Sequence, residues 1–153
     1  MANSFIQAYV HYVFTVKGRI NFLKQENNDE LQKYITGIVQ NRNCKMLAIN
    51  NMPDHVHIFL GQHPSYSISK TIQEIKSVSS KFINEKNWYK SKFCWQSGYG
   101  AFTYSHSQID NVIKHIINQQ QHHKKRTFRD EYIEFLNKFG IEYNEKYLFE
   151  FYD

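Results

Sequence analysis

The sequence is poor in the residues that cross-link or interrupt a chain. It contains two cysteines, two prolines and six glycines in 153 residues. Cys44 and Cys94 stand about fifty positions apart, which fits neither a disulfide framework nor the paired-cysteine spacing of a zinc site. A reducing cytoplasm is therefore the predicted location. With so few prolines and glycines, the chain is predicted to be globular rather than disordered.

Long hydrophobic runs are missing as well. No stretch approaches the roughly eighteen consecutive apolar residues of a membrane-spanning helix, so we expect neither a membrane segment nor a signal peptide. Aromatic residues, by contrast, are abundant, with 12 Phe and 11 Tyr, and the net charge is +5. An excess of cations favours contact with a polyanion such as nucleic acid, a signal shared with many basic proteins that bind none.

Hydrophobic periodicity predicts strands and helices in the order βαββαβ. Dense β-branched and aromatic residues mark the strands, and apolar residues at three- and four-residue spacing mark the helices. The predicted strands cover 5–16, 45–50, 55–60 and 93–104, and the predicted helices cover 28–41 and 67–84. The two middle strands are predicted to form an antiparallel hairpin, and the last strand is predicted to bend at Gly98.

This order is typical of an α+β fold of the ferredoxin-like, RRM-like kind, in which an antiparallel sheet carries helices on one face. Further helices are predicted after residue 107. No linker or repeat divides the chain, so we predict a single domain. It comprises residues 1–153, with a ferredoxin-like core at 1–105, a helix carrying candidate site residues at 106–126 and a C-terminal appendage at 127–153.

The sharpest local feature is a pair of histidines in the third predicted strand. His55 and His57 stand at i and i+2, so both imidazoles point to one face of the strand. Imidazoles are good ligands for divalent metals, and two of them leave room for a third ligand and a phosphate oxygen. The pair predicts a metal centre that polarises a phosphate. The competing interpretation is a half-buried strand that carries histidine on its outer face.

A second source of ligands is the helix predicted after residue 107. His115 and Gln119 are i and i+4 neighbours and would share one face of that helix. If the helix packs over the sheet, both side chains can approach His55 and His57. The basic run that follows could contact phosphates, although a charged helix end is more often simply solvated.

Three segments, taken together, resemble a known family: the single-tyrosine transposases of bacterial insertion sequences with a histidine-hydrophobe-histidine (HUH) motif, also called Transposase 17 or REP-associated tyrosine transposases. The resemblance covers nearly the whole chain. The segments are 9–16, 52–57 and 95–102, and they are followed by Asn118, Gln119, His122 and His123.

The resemblance implies a homodimeric DNA transposase. Such an enzyme binds single-stranded DNA with hairpin ends, then cleaves and rejoins it by metal-assisted transesterification through a covalent protein–DNA intermediate. The implied cofactor is Mg²⁺ or Mn²⁺, held by His55, His57 and Gln119. The candidate contacts to the DNA backbone are Lys17, Arg19, Lys124, Lys125 and Arg126.

One position departs from the family. The family's nucleophile is a tyrosine four residues before the glutamine, and here that position is His115. An imidazole gives a phosphoramidate where a phenolate gives a phosphodiester. Three interpretations follow: His115 disables cleavage and leaves a catalytically inactive nucleic-acid-binding relic or domesticated regulator; Tyr104 or Tyr99 replaces the nucleophile; or His115 itself attacks or binds metal.

Two other classes compete with a transposase. An RRM-like module binds single-stranded RNA on the same kind of sheet without catalysis, but the sequence lacks the RNP-type run of glycine and aromatic residues. A structural or regulatory dimer would use residues 143–152 as an interaction strand, and it would bind neither metal nor DNA.

Overall fold

The computed structural model describes residues 4–152, apart from the side chains of His122 and His123. These residues form a four-stranded antiparallel sheet. Its strands are β1 (Tyr9–Thr15), β2 (Lys45–Asn51), β3 (His55–Gly61) and β4 (Gly100–Tyr104). The order across the sheet is β2-β3-β1-β4, which confirms the ferredoxin-like topology. Strands β1 and β3 lie in the centre, where both of their faces are covered.

Two helices cover the first face of the sheet. They are α1 (Asn28–Asn41), which has the predicted bounds, and α2 (Ile68–Glu85). Ser67 caps α2 by accepting a hydrogen bond from the backbone N–H of Lys70 at 3.1 Å. Alternate residues of the central strands, such as Tyr12 and Ile58, are fully buried against these helices. The principal hydrophobic core therefore lies between this face and the helix pair.

The second face is covered by the C-terminal part of the chain. It carries α3 (Ile109–Ile117), α4 (Gln119–His123) and α5 (Phe128–Lys138). Helix α3 packs on β2 and β3 through Val112 and Ile116, and α5 packs on β1 and β4 through Tyr132 and Leu136. The sheet is thus enclosed from both sides. Short 3₁₀ turns lie at Arg19–Asn21, Gln25–Asn27, His106–Gln108 and Glu145–Tyr147.

The helix predicted at 106–126 is not continuous, because α3 stops at Ile117. Asn118 has φ −94° and ψ 23°, outside helical geometry, and α4 starts after it. Asn50 of β2 explains the break: its Nδ2 donates to the carbonyls of Ile116 and Ile117 at 2.9 and 3.2 Å. A hydrogen bond from the sheet therefore satisfies carbonyl groups that a continuing helix would have used.

The last predicted strand is regular only over its second half. Before β4, Trp95 makes a single bridge to Val16, and Gly98 adopts φ 87°, which turns the chain. Lys76 of α2 donates to the carbonyls of Gln96 and Gly98 at 2.6 and 2.8 Å. Those carbonyls therefore bond to a side chain instead of extending a strand ladder.

The C-terminal segment packs back onto its own chain. Phe149 is buried against α5, and the side chain of Gln96 exchanges two hydrogen bonds with the backbone of Glu150, at 2.8 and 2.9 Å. The segment considered as an interaction strand thus serves an intramolecular role in this chain. Separately, no helix formed by residues 4–152 combines the length and apolarity that crossing a membrane requires.

Candidate active site

The alternation of β3 places both histidines on the face covered by α3 and α5. His55 and His57 are fully buried there, while Val56 and Ile58 pack in the core on the opposite face. This confirms the prediction that both imidazoles share one face. It contradicts the competing interpretation of a half-buried strand, since neither ring is exposed to solvent.

Each of these imidazoles is held through its Nδ1 atom. Nδ1 of His55 lies 2.7 Å from Oδ1 of Asp54, and Nδ1 of His57 lies 2.8 Å from Nε2 of His11. A hydrogen bond at Nδ1 leaves Nε2 as the nitrogen directed into the space between the strands and α5. Partners of this kind fix the tautomer and orientation of histidines that bind metals.

Helix α5 brings a carboxylate to the same place. Thr127 caps the helix by accepting a hydrogen bond from the backbone N–H of Asp130, and Phe128 stacks on the ring of His55 with centroids 3.7 Å apart. One turn later, Glu131 is only 4% exposed. Its Oε1 lies 3.2 Å from Nε2 of His57, and its Oε2 lies 3.5 Å from Nε2 of His115.

The charge of this carboxylate is set by its histidine neighbours. Burial alone would raise the pKa of Glu131, but contacts with His115 and His57, and the nearby His55, outweigh burial and hold that pKa far below its usual range. Glu131 is therefore a carboxylate at neutral pH. Burial lowers the pKa of His11 well below its ordinary value, so that imidazole is neutral and can accept a hydrogen bond from His57.

The cluster fits a divalent metal ion. Ligand atoms of His55, His57 and Glu131 all lie within 4.8 Å of one another. Within residues 4–152, Nε2 of His57 and Oε1 of Glu131 are buried without a well-aligned hydrogen bond, although they approach each other. Buried polar atoms are normally paired, so donor atoms left converging in this way are typical of a metal site.

Gln119, which the family resemblance implies as the third ligand, is also fully buried. Its Nε2 donates to the backbone carbonyl of His115 at 3.4 Å, and no partner within the described chain reaches its Oε1. Its place as a metal ligand stays a prediction. Glu131 is the residue that sequence reasoning missed. The available signal was a carboxylate on the apolar face of α5, beside Phe128 and Tyr132.

A cavity of about 290 Å³ opens beside the cluster. His115 borders it with a side chain 34% exposed, and Tyr104 borders it from the end of β4. Burial raises the pKa of Tyr104 to about 12, so its phenol is protonated at neutral pH. Tyr99 lies instead beside Ile72 and Lys76 of α2, on the opposite face of the sheet. This location is evidence against Tyr99 as a replacement nucleophile.

The basic residues predicted to contact DNA lie in two places. Lys17 and Arg19 follow β1, and Arg19 is already engaged by the carbonyl of Tyr152 at 2.6 Å. Lys124 and Lys125 are exposed after α4, whereas Arg126 pairs with Glu134 and borders the cavity. The side chains of His122 and His123 lie outside the described part of the structure.

Comparison with known proteins identifies the family. The model of IS200-like transposases matches residues 4–120 of the chain. The chain belongs to this family. It is 26% identical over 126 residues to the ISDra2 transposase TnpA of Deinococcus radiodurans, an alignment that covers 78% of this chain and 87% of that protein. An IS200-like transposase is a DNA-cleaving enzyme, and metal dependence is a property of the family.

Two solved structures share the fold of this IS200-like transposase. A crystal structure described as a transposase from Deinococcus radiodurans has a TM-score of 0.62 at 22% identity, covering 78% of this chain and 95% of that one. A REP-associated tyrosine transposase bound to a REP hairpin has a TM-score of 0.60 at 14% identity, covering 80% and 73%. Glu131 lies beyond the residues that the family model matches.

Proposed function

We propose that this transposase binds single-stranded DNA with hairpin ends and cleaves and rejoins it by metal-assisted transesterification through a covalent protein–DNA intermediate. The observation that carries the proposal is the buried cluster of His55, His57 and Glu131, which borders the family's nucleophile position, His115. The fold shared with a transposase bound to a REP hairpin supports hairpin DNA as the substrate.

The proposed ion is Mg²⁺ or Mn²⁺. His55 and His57 would hold it, with Glu131 or Gln119 supplying a further oxygen ligand. When bound, the ion supplies a Lewis acid that polarises a phosphate oxygen. The protein holds the two imidazoles in place through Asp54 and His11 and excludes water from one side of the cluster by the stacked ring of Phe128.

Backbone contacts to DNA are proposed for the exposed cations around the site. Lys124 and Lys125 are free to reach phosphates after α4, and Lys17 is exposed at the end of β1 where β3 begins. Arg126 would act at the cavity and Arg19 near the C-terminal segment, each by exchanging its present protein contact for a phosphate. We further propose that the enzyme acts as a homodimer and is cytoplasmic.

Attack is proposed to come from position 115. His115 contacts the carboxylate of the cluster, whereas the phenol of Tyr104, the alternative nucleophile, is half-buried and has a pKa of about 12. The second candidate function is a catalytically inactive DNA-binding relic or domesticated regulator. It is favoured by a single observation, the histidine at the place of the family's tyrosine.

A nicking assay separates these functions. The protein is incubated with Mn²⁺ and labelled hairpin-bearing single strands from the flanks of its own gene, beside His57→Gln and the matched control His63→Gln. We expect cleavage and a protein-linked DNA band from the parent and from His63→Gln, with EDTA abolishing both. His57→Gln should lose at least about a hundredfold in rate, as expected for loss of a group that acts on the transition state. Hairpin binding without cleavage, by the parent and by His115→Tyr alike, would instead establish the relic.

A further inference from the structure

Glu131 joins the metal-binding face to the nucleophile position. One carboxylate oxygen lies 3.2 Å from Nε2 of His57 and the other lies 3.5 Å from Nε2 of His115. The carboxylate is almost wholly buried on α5, a helix held in place by the packing of Phe128 and Tyr132. The packing of α5 and the burial of the Glu131 side chain therefore fix the position of this carboxylate.

The imidazole of His115 has one buried side and one side that is open to the cavity. Nε2 faces the buried carboxylate, while the side chain as a whole is 34% exposed and borders the cavity. At this ion-pair distance of 3.5 Å, the facing carboxylate favours the tautomer that carries the proton on Nε2, and that tautomer has its lone pair on Nδ1. The same orientation of histidine by a carboxylate recurs in nucleophile–base arrangements on unrelated folds.

We propose that Glu131 positions His115 as the nucleophile of this transposase, so that strand cleavage joins the DNA to Nδ1 of His115 as a phosphohistidine. The inference rests on the proposed function, because it concerns the attacking group in that reaction. His115 is then the catalytic residue. Glu131 is a positioning residue that acts through it, besides its place in the metal cluster.

The reaction balances without a further reagent. The Nδ1 lone pair forms a bond to phosphorus as the bond from phosphorus to the 3′ oxygen breaks. The electron pair of the broken bond goes to that oxygen, which takes a proton from solvent and becomes a free 3′ hydroxyl. The positive charge that develops on the ring is stabilised by the facing Glu131 carboxylate. Rejoining reverses these steps, with a 3′ hydroxyl attacking phosphorus and the imidazole leaving.

The nature of the covalent link tests the proposal. A phosphorus–nitrogen bond breaks in mild acid and survives alkali, whereas a phosphotyrosine survives acid. The Mn²⁺-loaded protein is reacted with hairpin strands labelled at the 3′ end, and the adduct is divided between acid and alkali before denaturing electrophoresis and mass spectrometry. We expect the parent adduct to be lost in acid, kept in alkali and mapped to His115. The adduct of His115→Tyr should survive acid.

The role of Glu131 has a separate test that does not require DNA cleavage. In the metal-free protein, ¹⁵N NMR of the imidazoles should show His115 protonated at Nε2, both in the parent and in the control Glu142→Gln, which changes an exposed carboxylate beyond α5. Glu131→Gln should lose this preference, because an amide both donates and accepts. The same variant should form adduct at least about a hundredfold more slowly than Glu142→Gln does.

The possible results distinguish failure of this inference from failure of the proposed function. An acid-stable adduct, one mapped to Tyr104, or a 5′ phosphate that takes its oxygen from water without any adduct overturns the inference and leaves metal-assisted cleavage standing. Cleavage by His115→Tyr alone overturns both the inference and the proposed cleavage by the parent protein. Unchanged NMR signals and rates in Glu131→Gln overturn the positioning role. No cleavage by either the parent or His115→Tyr overturns the proposed function, and the inference with it.

Discussion

Replacing Glu131 with glutamine should weaken the binding of Mn²⁺ while preserving the shape of the side chain. Glu131 is the only carboxylate that lies among the converging ligand atoms of the described residues, with His55 and His57 as its partners. The substitution removes a negative charge that is buried beside both imidazoles. A neutral amide oxygen is a poorer ligand for a divalent cation, so affinity falls even if the amide occupies the same place.

The size of the effect follows from linkage between binding and folding. An ion present at one hundred times its dissociation constant stabilises the native state by about 2.7 kcal/mol. Perturbing the shell of a metal site costs at least about tenfold in affinity, which leaves about 1.4 kcal/mol at the same ion concentration. At about 2–4 °C per kcal/mol for a chain of this size, the shift in Tm should fall from about 5–11 °C to about 3–6 °C.

Thermal unfolding monitored by circular dichroism, with Mn²⁺ and with EDTA, measures this difference. The parent and Glu142→Gln should show the full shift, and Glu131→Gln about half of it or less. Comparing each variant with its own metal-free Tm removes any change in intrinsic stability. Gln119→Leu, run in the same series, tests the ligand implied by the family resemblance.

Two results would refute the reasoning. An equal metal-induced shift in the parent and Glu131→Gln would show that the carboxylate does not bind the ion. A shift lost in Gln119→Leu but kept in Glu131→Gln would assign the third ligand to Gln119. In that case Glu131 would remain only a partner of His57 and His115.

Three further predictions concern the core, the backbone and the DNA surface. Phe128→Ala should destabilise the fold by about 3–5 kcal/mol in urea unfolding, because the ring is 1% exposed and stacks on an active-site histidine. Gly37→Ala, in α1 with open space around it, should stabilise by about 0.5–1 kcal/mol, whereas the Cβ of Gly100→Ala would meet a tyrosine ring at 2.7 Å and should destabilise by about 1–3 kcal/mol. The double variant Lys124→Gln, Lys125→Gln should weaken hairpin binding in fluorescence anisotropy and reduce the slope of log affinity against log salt by about 2.

Matched controls make these outcomes decisive. Phe5 is fully exposed, so Phe5→Ala should change stability by less than about 0.5 kcal/mol. Lys33 lies on α1 and pairs with Asp29 at 3.0 Å, away from the site, so Lys33→Gln should leave the salt slope unchanged. A Phe128→Ala variant as stable as the Phe5 control would contradict the packing of α5 described above. Glycine variants that shift stability in the same direction would contradict the difference in space between Gly37 and Gly100. A salt slope that the double lysine variant leaves unchanged would contradict the proposed DNA contacts of Lys124 and Lys125.

Much of the fold could be predicted because its signals are local. The alternation of β3 side chains between the two faces of the sheet and the helical stripes of α1 and α2 are carried by consecutive residues, so the bounds of these elements were predicted to within a residue. The shared face of His55 and His57 follows from the same alternation. Family membership likewise depends on motifs that can be read along the chain, and it was confirmed by the match over residues 4–120.

Other features were decided only when distant segments came together. The break at Asn118 depends on Asn50 donating to α3 from a strand far earlier in the chain. The turn before β4 depends in the same way on Lys76. Glu131 has no local motif; it joins His57 and His115 because α5 folds across the second face of the sheet. A sequence by itself determines which residues can form a strand or bind a metal. The packing of helix on sheet decides which carboxylate completes the site, because that contact depends on the three-dimensional path of the chain and not on spacing along it.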